Sequence, residues 1–136
     1  MNETSRQPRR RRRSRRPECG LKSKLWGPSF WFHMHMVAAG FPVKRASVRR
    51  QAYMDYFDNL SSVLPCRKCR KHYSGMIRQS KKNGSYADHF ASRESLQKFV
   101  FDMHNKINAR LGKKIVSPAV LEDHKTHVEK MYRAPC

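Results

Sequence analysis

The residues best suited to chemistry are two cysteines spaced as Cys-x-x-Cys, at Cys66 and Cys69. Such a pair either cycles between dithiol and disulfide or binds a metal ion, because a thiolate is both a nucleophile and a metal ligand. A zinc site would need further ligands, which His72 together with His33 or His35 could supply. The chain has no second Cys-x-x-Cys pair and no histidines with the His-x3–5-His spacing of a zinc finger, so the sequence favours redox chemistry over zinc.

The segment around this pair should stabilise a thiolate. Pro65 ends one helix and opens the next, which places the pair in a first helical turn, where free N–H groups and the positive end of the helix dipole lie. Four basic residues accompany it: Arg67, Lys68, Arg70 and Lys71. They equally fit an ordinary solvated helix face, so their contribution stays open. Covalent haem attachment is excluded, because it requires a histidine where Arg70 stands.

Apolar side chains recur with helical spacing through most of the chain, which predicts an all-α bundle without strands. Prolines, glycines and capping residues set the expected boundaries of five helices. The first runs from Pro28 to Gly40 and the second from Ala46 to Leu64, the third begins at Cys66 and ends before Asn83, the fourth follows the cap Ser92 and stops at Gly112, and the fifth spans Val120 to Met131 after Ser117.

Length and charge limit the architecture. The 136 residues suit one domain, and a formal net charge of +20 alone suggests a polyanion as partner. Eight arginines and one glutamate fall within residues 1–16, a net charge of +7. This segment lacks large apolar side chains, so we expect a disordered basic arm over residues 1–20, a folded domain over 21–133 and a short tail over 134–136. The arm fits nucleic-acid contact, nuclear localisation or a solubilising role, and the sequence leaves these open.

Three motifs stand in a recognisable order: Trp26-Gly-Pro-Ser-Phe-Trp-Phe-His-Met-His35, Pro65-Cys-Arg-Lys-Cys-Arg-Lys-His72 and His104-Asn-Lys-Ile-Asn-Ala-Arg-Leu-Gly-Lys113. Together they resemble the Erv/ALR sulfhydryl oxidases, above all the compact members carried by large DNA viruses. The resemblance covers roughly residues 25–114. It departs at Pro28, where many relatives have arginine, and in lacking the cysteines for an additional C-x16-C disulfide.

The resemblance implies an FAD-dependent thiol oxidase that forms disulfides in protein substrates and passes electrons to O2, giving H2O2. It implies a four-helix bundle with a short fifth helix and FAD at the bundle mouth. Cys66 would exchange with substrate dithiols, Cys69 would lie against the flavin, and His72 is a candidate base. The resemblance also implies a homodimer formed through the first two helices.

The same resemblance implies a set of FAD contacts. Their members are Gly27, Trp31, His35, Tyr73, His104, Asn105, Asn108, Lys113 and Lys114. From the residues alone, a pair such as Trp31 and His35, one turn apart on an apolar face, more often belongs to a core. Several polar groups directed at one interior need hydrogen-bond partners, however, and a heteroatom-rich cofactor would supply them. Tyr73 either stacks on the flavin or fills the core.

Two cysteines lie outside the motifs, Cys19 and Cys136. They could shuttle electrons as a pair, join two subunits, or take no part in the reaction, and the last is the commonest outcome for lone terminal cysteines.

No secretory signal or membrane-spanning run is evident in the sequence, which predicts an intracellular protein. The resemblance to viral members implies the host cytoplasm or nucleus, or a virion. The alternatives from other classes are a basic nucleic-acid-binding protein with a small zinc site and a metal-dependent structural module.

Overall fold

A computed structural model describes residues 20–135, so most of the basic arm, Cys19 and Cys136 lie outside the described residues. Five α-helices follow one another: α1 Ser23–Ala39, α2 Ala46–Val63, α3 Arg67–Lys82, α4 Arg93–Arg110 and α5 Pro118–Met131. A 3-10 turn, Ala87–Phe90, which the sequence did not predict, precedes α4. Within residues 20–135 there is no strand, only one isolated backbone bridge, and the all-α prediction is confirmed.

The start of α1 differs from the sequence prediction. The helix begins at Ser23, so the expectation that Pro28 opens it is wrong, and the proline lies inside the helix. Proline there removes only the hydrogen bond to the carbonyl four residues earlier. The preceding turn is held by local side-chain contacts instead: Trp26 Nε1 donates to the carbonyl of Leu21 at 3.2 Å, and its ring packs edge-on against Phe30.

Other boundaries match their local signals. Ser92 caps α4, and its hydroxyl accepts from the N–H of Ser95 at 3.0 Å. Leu64 has extended backbone before Pro65, which separates α2 from α3. Cys66 is the N-cap of α3 rather than its first residue. None of the helices in residues 20–135 is long and apolar enough to cross a bilayer.

The helices pack in antiparallel pairs around one apolar core. α1 lies on α4, and Arg93 at the start of α4 donates from Nε to the carbonyl of Phe41 just past the end of α1 at 2.7 Å. α2 lies on α3, and Tyr73 donates to the carbonyl of Phe57 at 2.7 Å. The ring of Phe57 is fully buried between these pairs. One end of the bundle therefore gathers the starts of α1 and α3 with the ends of α2 and α4.

The segment before α1 is docked at this end. Gly20 forms an antiparallel bridge with Cys66, and the N–H of Leu21 donates to the carbonyl of Pro65 at 2.5 Å. Gly20 has a φ of +78°, and a Cβ at this position would lie 2.1 Å from the carbonyl oxygen of Pro65. Only glycine fits here without displacing one of the two segments.

Candidate active site and cofactor pocket

Cys66 and Cys69 form a disulfide across the first turn of α3. The backbone N–H of Cys69 donates to the Sγ of Cys66 at 3.2 Å, so the Cys66 sulfur takes the place of an N-cap side chain. Arg70 reaches back from Nη1 to the carbonyl of Leu64 at 2.5 Å and fixes the α2–α3 corner. The structure thus holds the pair in the oxidised, electron-accepting form.

The two sulfurs have different surroundings. Cys69 packs against the core cluster of the bundle. Cys66 precedes the helix, has extended backbone and faces Gly20 through the bridge. Cys69 therefore belongs to the edge of the core, whereas the backbone of Cys66 pairs with the segment before α1.

A second cluster joins α1 and α4. The rings of Trp31 and His104 are stacked with centroids 4.1 Å apart and planes 4° from parallel. His35 Nε2 lies 3.1 Å from His104 Nδ1, which is a hydrogen bond between the two imidazoles. The spacing of one turn between Trp31 and His35 puts both side chains on the face of α1 that meets His104. The structure therefore brings together three of the residues that the sequence predicted as FAD contacts.

His124 on α5 completes this cluster, and the sequence reading missed it. Its ring centroid lies 5.2 Å from that of His35, and its buried Nε2 has no hydrogen-bond partner among the described residues. Leu121 and Val128 are the buried residues of α5, so His124, three residues after the first, lies on the helix face that packs inward. The helical spacing of His124 relative to the apolar Leu121 and Val128 was the sequence signal that could have identified it.

An open pocket of about 180 Å³ lies beside the histidines. Its walls come from α1, α4, α5 and the connection before α5: His35, Phe101, His104, Asn105, Val116, Val120 and His124. This volume is below the roughly 300–1,000 Å³ that encloses a whole drug-sized ligand, so the pocket suits one ring system of a larger molecule. Flat aromatic walls and unpaired imidazole nitrogen are the groups that a heteroaromatic ring would contact.

Burial keeps the histidines neutral. Burial first, and then the neighbouring His104 and His124, lower the pKa of His35 from 6.5 to about 4. Burial and then the charge of Lys113 lower the pKa of His104, and burial and then His127 lower that of His124. Neutral imidazoles can each donate and accept one hydrogen bond.

The other residues of α4 and the following loop that were predicted to contact FAD differ from one another in their surroundings. Asn105 uses its amide on the backbone of Val116, donating to the carbonyl at 2.8 Å and accepting from the N–H at 3.0 Å, which fixes the pocket wall. The N–H of Lys113 donates to the carbonyl of Asn108 at 2.8 Å. Lys113 and Lys114 are exposed, and the charge of Lys113 is close enough to act on His104.

Tyr73 and Gly27 differ in what surrounds them. Tyr73 is buried in the bundle core with its hydroxyl bonded to Phe57, which corresponds to the core-filling alternative, and burial raises its pKa. Gly27 lies within α1, where an added Cβ would meet no atom of the described residues within 4 Å. Glycine costs about 1 kcal/mol relative to alanine in a helix, and no protein contact accounts for it here.

His72 lies one turn after the disulfide, half-buried near the start of α3. Burial, then the charges of Arg110, Lys68 and Lys71, lower its pKa. No three His, Cys, Asp or Glu side chains within residues 20–135 are arranged to hold a metal ion. Because Cys66 and Cys69 are bonded to each other, the zinc alternative has no ligand set in this part of the chain.

Comparisons with known proteins agree with this geometry. A model of the Erv1/Alr family matches residues 28–132. A protein of Invertebrate iridescent virus 6 named as a FAD-linked sulfhydryl oxidase is 30% identical over 97 residues, which cover 71% of this chain and 87% of the relative. One of Acanthamoeba polyphaga mimivirus with the same description is 33% identical over 103 residues, covering 75% and 70%. The crystal structure of the yeast Erv1 core superposes with a TM-score of 0.67 at 26% identity, covering 82% of this chain and 90% of that one.

Proposed function

The chain belongs to the Erv1/Alr family, and we propose that it is a FAD-linked sulfhydryl oxidase in which the Cys66–Cys69 disulfide takes electrons from substrate dithiols. The observation that carries the assignment of residues is the position of this disulfide at the start of α3. A helix N-terminus stabilises thiolate, so the bond is placed where its reduction is electrostatically favoured.

Cys66 is the sulfur that meets the substrate. It precedes the first helical residue of α3, whereas Cys69 packs against the core. A substrate thiolate attacks Cys66, the bond between Cys66 and Cys69 breaks, and Cys69 leaves as a thiolate. A second substrate thiolate then attacks the substrate sulfur of the mixed disulfide and releases Cys66. The substrate gains one disulfide and gives up two electrons and two protons, and the enzyme pair holds the electrons as a dithiol.

FAD fits the second cluster of residues. Trp31, His104, His35 and His124 would hold one of its ring systems, because they offer a flat aromatic wall and the partnerless Nε2 of His124. The open space at Gly27 allows a close approach to the α1 backbone. When bound, FAD accepts the two electrons of the reduced cysteine pair and passes them to O2, giving H2O2.

The other residues have supporting roles. Asn105 holds the pocket wall through Val116, and Asn108, Lys113 and Lys114 lie toward the polar, solvent-facing side of the site, where lysines suit phosphate groups. We assign Tyr73 to the core and not to the cofactor. His72 stays a candidate base beside the disulfide, since its lowered pKa keeps it neutral and able to accept a proton near neutral pH.

The test compares Cys66→Ser with Cys69→Ser in the FAD-loaded protein. Both should lose turnover with protein dithiols, measured as O2 consumption. Only Cys66→Ser, which keeps Cys69, should show a long-wavelength absorbance band between thiolate and flavin. Equal bands in both variants would overturn the assignment of roles, and a purified protein without flavin absorbance would overturn the function itself.

We also propose a homodimer formed through α1 and α2. Both helices expose large apolar side chains, among them Leu25 and Phe32 on α1 and Val63 on α2. Exposed apolar patches on a small domain commonly mark interfaces. Sedimentation of the wild type and of Leu25→Asp distinguishes the states: the variant should be monomeric, and an unchanged sedimentation coefficient would argue against this interface.

A further inference from the structure

We propose that the disulfide end of the bundle is a docking surface for acidic protein segments, so that dithiols flanked by Asp and Glu are the preferred substrates. We call this surface the basic rim and define it by five residues: Lys22, Arg67, Lys68, Lys71 and Arg110. The inference rests on the proposed function, because it names the substrate class of the same site.

The rim residues come together at the end of the bundle that carries the disulfide. Arg67 and Lys68 lie between the two cysteines in sequence and are exposed, and Lys71 follows within the next turn. Lys22 is brought to the same end by the pairing of the preceding segment with Pro65 and Cys66. Arg110 lies on the last turn of α4, and its charge acts on His72. The positive charges therefore come from three separate parts of the chain.

Three of the rim residues act electrostatically on the same position, His72. Arg110, Lys68 and Lys71 each contribute to lowering the pKa of His72, after its burial, so all three charges act at one position beside the disulfide. The positive end of the α3 dipole adds to them. An anionic segment that approaches His72 therefore meets the charges of Arg110, Lys68 and Lys71 together.

Within residues 20–135, no acidic side chain forms an ion pair with the rim. The sequence has no Asp or Glu from position 19 to 54 or from 59 to 87, which includes all of α1 and α3. None of the ion pairs formed within residues 20–135 includes a rim residue. These pairs are Lys81–Asp58, Arg93–Glu129, Lys98–Asp102, Lys125–Glu122 and Arg133–Glu129. Among residues 20–135, the rim charges are therefore not offset by an ion pair.

A substrate protein is the partner that the position favours. Complementary charge raises association rates by about 10- to 1,000-fold and discriminates against like-charged partners. Around a redox disulfide, the higher association rate selects among molecules that carry thiols. Nucleic acid carries no thiol and is not a substrate of this site. The effect should be strong at low salt and weaken as the screening length shrinks to about 8 Å at physiological ionic strength.

The experiment uses the FAD-loaded full chain and three peptides with an identical dithiol core, flanked by Asp and Glu, by Ser, or by Lys and Arg. kcat/KM is measured from O2 consumption for the wild type, for Lys68→Glu/Lys71→Glu and for Lys82→Glu. Lys82 is the matched control because it is an exposed lysine of the same helix, about 20 Å further along it. Dithiothreitol, which carries no charge, normalises each enzyme for changes in the chemistry itself.

In the wild type at low salt, kcat/KM for the acidic peptide should exceed that for the basic peptide at least about tenfold, mainly through KM. Lys68→Glu/Lys71→Glu should abolish or invert this ratio, while Lys82→Glu should retain it. Equal ratios in all three enzymes would overturn the inference and leave the function standing, since dithiothreitol would still be oxidised. No oxidation of dithiothreitol by the wild type would overturn the function. Loss of single-stranded DNA retention in the rim variant, without a change in peptide ratio, would assign the rim to nucleic acid and overturn the proposal.

Discussion

Acidification should destabilise the domain largely through His35. Burial, followed by the nearby His104 and His124, lowers its pKa from 6.5 to about 4. Between these pH values the unfolded chain binds a proton that the folded chain does not, so stability falls as the pH falls through this window. A pKa decrease of this size corresponds to about 3 kcal/mol, present above the unfolded-state pKa and fully lost only below about pH 4. The lowered pKa values of His104 and His124 act in the same direction.

The assay is denaturant unfolding at about pH 7.5 and about pH 4.5, in FAD-loaded and stripped protein, for the wild type, His35→Gln and His33→Gln. Glutamine keeps a hydrogen-bonding group at position 35 but does not titrate. His33 is the control because it lies exposed on the same helix. When the pH falls from about 7.5 to about 4.5, the free energy of unfolding should decrease in both proteins. The decrease should be smaller in His35→Gln than in the wild type, by about 2–3 kcal/mol. Parallel pH profiles for all three proteins would refute the reasoning.

Three further predictions concern the flanks of the domain. Gly20→Ala should release the segment before α1, because the added Cβ would clash with the backbone, and amide exchange at Leu21 should become faster. The control Gly84→Ala has a positive φ but open space, so it should cost only the backbone strain of about 1–2 kcal/mol. Equal exchange at Leu21 in both variants would contradict this. Deleting residues 1–16 should weaken DNA retention and its salt dependence but preserve FAD content and dithiol oxidation, so loss of FAD would refute the separation. Cys19→Ser and Cys136→Ser should each retain activity on small and protein dithiols; loss on the protein substrate alone would identify a shuttle, and a changed non-reducing gel with activity retained would identify a link between subunits.

The sequence predicted those features that local physics determines. Ser92 and Pro65 set helix boundaries through capping and the missing N–H, and both appear where expected. The Trp31, His35 and His104 cluster was accessible because its members belong to motifs.

Features that depend on contacts distant in sequence were not predictable in the same way. Pro28 is a separate case: it gives a strong local signal for a helix start, but α1 already begins at Ser23, where Trp26 contacts Leu21 only five residues away. His124 has no motif of its own, and its role depends on how α5 folds back onto α1. The pairing of Gly20 with Cys66 joins positions 46 residues apart, and nothing in the local sequence of either specifies it.

That pairing also sets the point at which the arginine-rich arm leaves the domain. Gly20 is fixed beside Cys66, and a fully extended chain spans at most about 3.5 Å per residue, so Arg16 cannot be further than about 14 Å from this anchor, nor Arg6 further than about 50 Å. The arm is therefore attached to the domain at Gly20, next to the disulfide. Any molecule that it captures is confined to a small volume around the reactive sulfur, at an effective concentration in the millimolar range. Capture by the arm therefore changes how often a substrate meets the disulfide without any change in the chemistry of the disulfide itself.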